Sequence, residues 1–316
     1  MKLVTAFGLA DSPARTDDRP RRVVRVGAVQ ERWRPDPAEH RAALAAGVAA
    51  AADAGAAIVC LMELTLSPYF AITAAGPAAV GYEPETLPGG PTHELAAKLA
   101  ARHDVFVHAS LWERPATEDP AGRAYNTAIC VDPDGALVAR TRKLHIPVTA
   151  GYHEDRYFLP GDTGYPVARV AGASFAFPTC WDQWFPELAR AYSLAGAEVI
   201  VYPTAIGSEP DHPQFDTQPL WQQVIVGNGI ANGTFMVAVN RIGVEELGGT
   251  TLTFYGSSFI SDPYGRILAQ APRDEPAVLV ADLDLGARSD WLTLFPFLGT
   301  RRPDTYQPLV DGKAIG

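Results

Sequence analysis

From Val23 onward the chain alternates short β-branched runs with helical stretches, and this alternation restricts its fold more than any other feature. Val23-Val24-Arg25-Val26-Gly27-Ala28-Val29-Gln30 reads as a strand, and residues 37–55 as a helix with Pro37 in its first turn. Residues 57–63 form a continuous apolar run closed by Glu63, the pattern of a strand with no wet face. A helix is expected from Thr92 to His103, then strands at 105–112 and 126–131. Further on, strands at 175–177, 198–202 and 236–239 enclose helices at 186–197 and 219–230. This order predicts an α/β domain and excludes all-α and all-β folds.

One local device occurs twice. Asp132-Pro133-Asp134-Gly135 joins two strand candidates, with Pro presetting φ and Gly taking the left-handed position, and Asp262-Pro263-Tyr264-Gly265 repeats it. Each lies beyond an α/β stretch, so two similar halves are expected. No Gly/Ser-rich linker or charge block separates them, and they read as one domain starting at residue 23. Residues 1–22, polar and proline-bearing after Ala10, are expected to be an extension outside the fold.

No membrane partner is expected. The longest apolar segment, residues 42–52, is Ala-rich, broken by Gly47, and well short of the roughly 18 residues of a membrane helix. The apolar part of the N-terminus spans only about 8 residues, which argues for a cytoplasmic protein over a secreted one. The chain carries 36 Asp and Glu against 26 Lys and Arg, a net charge of −10, and its basic residues do not cluster into a phosphate-tracking surface. Nucleic acid is therefore not an expected partner. The three cysteines, Cys60, Cys130 and Cys180, make no disulfide framework and suit a reducing compartment.

Cys60 and Cys130 lie inside apolar strands, as buried structural cysteines do. Cys180 differs, because it follows an apolar strand and precedes Pro186-Glu187, the first turn of a helix. A thiol at such an elbow is presented at the sheet edge, near backbone N–H groups able to face an oxyanion. A nucleophilic thiol also needs a base and a cation. Glu63 ends a buried strand, where a carboxylate requires a partner, and Lys143 sits where the strand bearing Arg140 and Arg142 becomes a loop. Taken singly, each has a structural explanation: a buried cysteine, a salt-bridged glutamate, a solvated basic edge.

Together they resemble something specific. Leu61-Met62-Glu63-Leu64, Arg142-Lys143-Leu144-His145-Ile146-Pro147 and Cys180-Trp181-Asp182 are similar to the Glu, Lys and Cys motifs of the nitrilase superfamily, the carbon–nitrogen hydrolases, in the family's order. The resemblance extends through Gly151-Tyr152-His153-Glu154, Tyr202-Pro203-Thr204-Ala205-Ile206-Gly207-Ser208-Glu209-Pro210, Asn240-Arg241-Ile242-Gly243 and Arg301-Arg302-Pro303-Asp304, covering roughly residues 23 to 310.

The resemblance implies a four-layer αββα sandwich over residues 23–316, in a homodimer or larger homo-oligomer whose interface includes the C-terminal segment. It implies Cys180 as nucleophile, Glu63 as general base, Lys143 as oxyanion stabiliser and Glu154 as a second glutamate beside them. The substrate would be a small amide or ureido compound, an N-carbamoyl amine such as N-carbamoylputrescine or an aliphatic amide, and ammonia would be released without a cofactor. Two other readings accompany this one: an N-carbamoyl-β-alanine hydrolase or specialised ω-amidase, and a catalytically silent binding member. Tyr69, Tyr152, Trp181, Thr204 and Ala205 are candidates for the substrate pocket. Glu187 and Glu209 are candidates for an amine terminus, and Arg190 or Arg241 for a carboxylate terminus. No metal site is expected, since His145, His153 and Glu154 match no ligand spacing and lie beside Lys143.

Several positions depart from the family pattern, among them residues 175–179 ahead of Cys180 and 295–300 near the C-terminus. Met62 stands where a proline is usual, and Pro178 removes a backbone donor and fixes φ two residues before Cys180.

Overall fold

The computed structural model describes residues 1–311. A seven-stranded sheet is built from β1 (Lys2–Ala6), β2 (Val23–Gln30), β3 (Ile58–Cys60), β4 (Phe106–Glu113), β5 (Tyr125–Val131), β6 (Leu137–Arg142) and, returning from the end of the chain, β17 (Ala277–Asp284). Its order is β1-β17-β2-β3-β4-β5-β6. A small hairpin, β7 (Val148–Thr149) and β8 (Tyr152–His153), leads to a six-stranded sheet. That sheet comprises β9 (Ala168–Val170), β10 (Ala173–Ala176), β11 (Val199–Pro203), β12 (Phe235–Val239), β15 (Phe259–Ser261) and β16 (Ile267–Gln270). The hairpin β13 (Ile242–Leu247) and β14 (Thr250–Tyr255) is inserted between β12 and β15.

Helices cover the outer faces. Among the described residues, α1 (Pro37–Asp53) and α2 (Pro91–His103) pack on the first sheet, α3 (Pro186–Leu194) and α4 (Gln218–Asn232) on the second, with α5 (Gly286–Leu294) and the short α6 (Gln307–Val310) at the C-terminal end. Asp36 caps α1, its carboxylate accepting from the N–H groups of Ala38 and Glu39, which sets the helix start beside Pro37. None of these helices is long and apolar enough to cross a membrane.

Strand periodicity explains the layering. In β17, Leu279 and Ala281 face the second sheet while Val278 and Val280 face α1 and α2; in β11, Val199 and Val201 point inward while Ile200 and Tyr202 meet α3 and α4. Both faces of each sheet are covered, hence the continuous apolar runs. The result is the expected αββα sandwich. The halves also repeat. In each, three parallel strands connected by helices lead into two antiparallel ones, β2-β3-β4-β5-β6 and β10-β11-β12-β15-β16. The twin turns share their frame: Gly135 and Gly265, both at φ 83°, donate to the carbonyls of Asp132 and Asp262, whose carboxylates accept from the N–H groups of Ala136 and Arg266.

The N-terminal region departs from expectation. Residues 2–6 are not outside the fold but form β1, parallel to β17, and Arg21 bonds Asp290 at the start of the C-terminal region. Lys2-Leu3-Val4-Thr5-Ala6 is too short for periodicity to reveal, and its partner strand lies about the whole length of the chain away. Of the C-terminal segment expected in an oligomer interface, residues 312–316 lie outside the described residues.

Candidate active site

Five chain segments deliver the site, four from the ends of strands in the two sheets and the fifth from the β7–β8 hairpin. Glu63 lies three residues past β3, Lys143 directly follows β6, Glu154 follows β8, Cys180 follows β10, and Ala205 follows β11. Gly161 lets the loop after β8 close on Lys143. Its N–H donates to the Lys143 carbonyl at 2.8 Å, and a β-carbon there would stand 2.3 Å from the Arg142 carbonyl oxygen.

Lys143 stands between the two glutamates. Its ammonium donates to Glu154 Oε2 at 2.6 Å and to Glu63 Oε1 at 3.1 Å, and all three side chains are fully buried. Asn126 Nδ2 also donates to Glu63 Oε1, at 2.7 Å, while Tyr69 Oη donates to Glu154 Oε1 at 2.6 Å. Glu154 thus has both oxygens occupied. Glu63 Oε2, by contrast, has no hydrogen-bond partner among the described residues and is free to take a proton.

Burial pulls the Lys143 ammonium down, but Glu154 and Glu63 outweigh it and hold the pKa above the usual lysine range, so the charge persists. Burial raises the carboxyl of Glu154, with Lys143 pulling the other way. Burial also pushes the Cys180 thiol well up, and Glu63 adds to this against Lys143, so the resting sulfur is a neutral thiol that needs a base. The backbone N–H of Ala205 adds to the pull of Lys143. Cys180 itself sits at φ 39°, in the left-handed region, at the start of a 3₁₀ turn running to Trp184. Asp182 braces this turn, accepting from the N–H of Thr179 at 3.1 Å and from His145 N–H and Nδ1 at 3.0 and 2.8 Å. Pro178 lies just outside the brace, and the turn forms around it.

Cys180 and Glu154 open onto a cavity of about 390 Å³. Tyr152, Trp181 and Glu209, three of the residues expected to meet a substrate, line it. Ala205 is buried next to Ile206 of the wall and Tyr69 bonds Glu154, and neither is among the lining residues. Thr204 is buried with its hydroxyl on the Val239 carbonyl, and Glu187 stands exposed on the first turn of α3, so neither is among the lining residues. Arg190 reaches the Ala231 carbonyl, and Arg241 is buried against Glu245 and the Glu63 loop.

Asn126 escaped the sequence reading. Its signal was a polar side chain opening the apolar run 126–131, which demands a buried partner. Ile206, His212, Phe215 and Thr217 add to the cavity wall from the loop between β11 and α4, where periodicity carries no information, and Leu220 adds to it from the first turn of α4.

The carbon-nitrogen hydrolase family model matches residues 25–292. The chain is 39% identical over 293 residues to N-carbamoylputrescine amidase of Solanum lycopersicum, covering 92% of this chain and 95% of that protein. It is 35% identical over 296 residues to citrullinase of Francisella tularensis, covering 91% and 98%. Among solved structures, a carbon-nitrogen hydrolase from Helicobacter pylori superposes with a TM-score of 0.81 at 30% identity, over 93% of this chain and all of that one. The chain belongs to the carbon–nitrogen hydrolase family of the nitrilase superfamily and is a hydrolase of C–N bonds other than peptide bonds.

Proposed function

We propose that this enzyme hydrolyses an N-carbamoyl amine with a cationic far end, N-carbamoylputrescine or a close analogue, through a covalent intermediate on Cys180. The observation that carries this reading is the cavity lining, which joins the thiol to a largely apolar wall whose carboxylates are Glu154 and Glu209, with no Arg or Lys among the lining residues. Glu209 is half-buried and suits an ammonium at the far end of a short chain. A carboxylate-terminated substrate such as N-carbamoyl-β-alanine would find no guanidinium there, since Arg190 and Arg241 are engaged elsewhere. The relatives named for N-carbamoylputrescine and citrulline point to ureido substrates in the same way.

In this reading Glu63 takes the thiol proton on its unpartnered oxygen as Cys180 Sγ bonds the carbonyl carbon. Lys143 and the backbone N–H of Trp181 hold the developing oxyanion. The bond to the terminal nitrogen breaks, Glu63 returns its proton, and ammonia leaves a thiocarbamate on Cys180. Glu63 then takes a proton from water, whose oxygen attacks the same carbon; the C–S bond breaks and the thiol regains a proton. The released carbamate loses carbon dioxide to give the primary amine. Glu154 keeps Lys143 charged and placed throughout.

We read the enzyme as cytoplasmic, because a working thiol needs a reducing compartment. We read it also as a homo-oligomer, with Leu309 and Val310 exposed on the C-terminal segment as the supporting feature. The substrate assignment is tested by comparing kcat/KM for N-carbamoylputrescine, citrulline, N-carbamoyl-β-alanine and an unsubstituted aliphatic amide. N-carbamoylputrescine is expected to lead, and preference for the carboxylate-terminated compound or the plain amide would overturn the assignment.

A further inference from the structure

We propose that the buried Arg241–Glu245 ion pair is a positioning element for the reaction, fixing the backbone that carries Glu63 and, through Tyr69, the carboxylate of Glu154, so that both stay aligned on Lys143. This rests on the catalytic reading of Glu63, Lys143 and Cys180 given above.

Arg241 follows β12, in the sheet opposite Glu63, and is fully buried. Its Nη2 crosses between the sheets to the carbonyls of Glu63 at 2.7 Å, Leu64 at 3.2 Å and Ser67 at 3.3 Å. The turn it grips is strained, for Leu64 sits at φ 48°, a region that β-carbons disfavour. Such a turn keeps its shape only where its surroundings hold it, and one guanidinium holds three of its carbonyls.

The other arm of Arg241 completes a ring. Nη1 donates to Glu245 Oε1 at 2.6 Å, Glu245 Oε2 accepts the Tyr69 N–H at 2.7 Å, and the Tyr69 hydroxyl donates to Glu154 at 2.6 Å. Lys143 closes the circuit between Glu154 and Glu63. The two glutamates are therefore tied twice: directly by Lys143, and by Arg241–Glu245, which reaches Glu63 at its backbone and Glu154 at its carboxylate through Tyr69. A buried guanidinium is costly to desolvate, and an apolar side chain would fill the space more cheaply. What an apolar side chain would not supply is the simultaneous grip on both segments.

The test uses the full chain with Glu245→Gln, which keeps the shape and breaks the charge pair, and Tyr69→Phe, which leaves the pair intact and removes only the last link to Glu154. Glu245→Gln is expected to lower kcat by about ten-fold or more with KM changed less than about three-fold, as for loss of alignment and not of binding. Tyr69→Phe is expected to displace the acid limb of the kcat/KM profile to higher pH, as Glu245→Gln does, because a buried carboxylate that loses a donor takes a proton more readily. If Glu245→Gln does not fold, that displacement decides alone. A profile unmoved in Tyr69→Phe, or kcat within two-fold of the parent in folded Glu245→Gln, would overturn the proposal. Cys180→Ala run alongside separates the two failures, since turnover surviving there would sink the catalytic reading instead.

Discussion

Lys143 Nζ lies 3.1 Å from Glu63 Oε1, and neither side chain reaches solvent. With Glu154 at 2.6 Å on its other side, one ammonium serves two carboxylates in a fully buried site. Removing the cation leaves like charges facing each other, and the folded state can relieve this only by taking up a proton.

Lys143→Met is therefore expected to lower kcat by at least about a hundred-fold. It should also cost about 3–5 kcal/mol of stability at pH 7, the usual penalty for orphaning a buried charge. The sign of its pH dependence is diagnostic. Without the ammonium the carboxylates titrate higher in the folded chain than in the unfolded one, so the deficit relative to the parent should shrink as pH falls from 7 to 5. Denaturant unfolding of both proteins at the two pH values checks this, and an unchanged deficit would mean the carboxylates do not depend on Lys143.

Cys180→Ala should abolish ammonia release while leaving the circular dichroism spectrum and thermal midpoint close to the parent, because it removes one sulfur atom and leaves the Asp182 brace of the turn untouched. Acid-quenched parent enzyme should carry substrate mass on the peptide containing Cys180. Cys60 and Cys130 are fully buried within the sheet and should stay unmodified; an adduct on either would reassign the nucleophile.

How far the sequence reaches is clear from this site. The strand and helix alternation, the two Asp-Pro-x-Gly turns and the Glu, Lys and Cys motifs were legible, because each is a local pattern set by backbone chemistry or by residue type. The shared ring of hydrogen bonds was not. Arg241 meets Glu63 across a sequence gap of 178 residues, and nothing near either residue announces the other. The cavity wall was hidden for a related reason: Phe215 and Thr217 lie in the irregular loop before α4, placed by tertiary anchoring that includes the bidentate pair of Arg273 with Asp216, and not by any period. Strand β1 was missed because its only reason to form is β17, more than 270 residues on.

Glu209→Gln should raise KM for an amine-terminated ureido substrate by roughly ten-fold or more while changing kcat little, since the contact is far from the reacting carbon. Burial raises the Glu209 carboxyl above its usual range, with the Thr217 hydroxyl and His212 opposing. Protonation removes the partner of the ammonium, so the parent's KM should worsen on acidification sooner than an exposed carboxylate would allow, and the variant's KM should lack that rise. Equal KM for parent and variant would remove Glu209 from recognition.

Two histidines should make the fold acid-labile. His108 is buried between the sheets, stacked on Phe177 at 5.1 Å, with neither ring nitrogen partnered among the described residues, and burial pulls its pKa down to about 3. Burial likewise brings His40 down to about 4, although its Nε2 lies 2.8 Å from the Thr65 carbonyl. In the unfolded chain both titrate near 6.5, so below that value the unfolded state binds the protons first. Their contribution is fully present above about pH 6.5 and drains away as pH falls toward those depressed values, by roughly 1.4 kcal/mol per pH unit for each histidine. Glu154 and Glu85, raised by burial, act in the opposite sense, so the parent's own slope mixes both effects. The difference between the parent and His108→Phe isolates one term. Phenylalanine keeps the stack on Phe177 and cannot take a proton, so between pH 6 and 4.5 the variant should lose stability more slowly by that same amount per pH unit. Unfolding free energies measured across this interval decide it, and parallel slopes for the two proteins would show that His108 does not drive the acid lability.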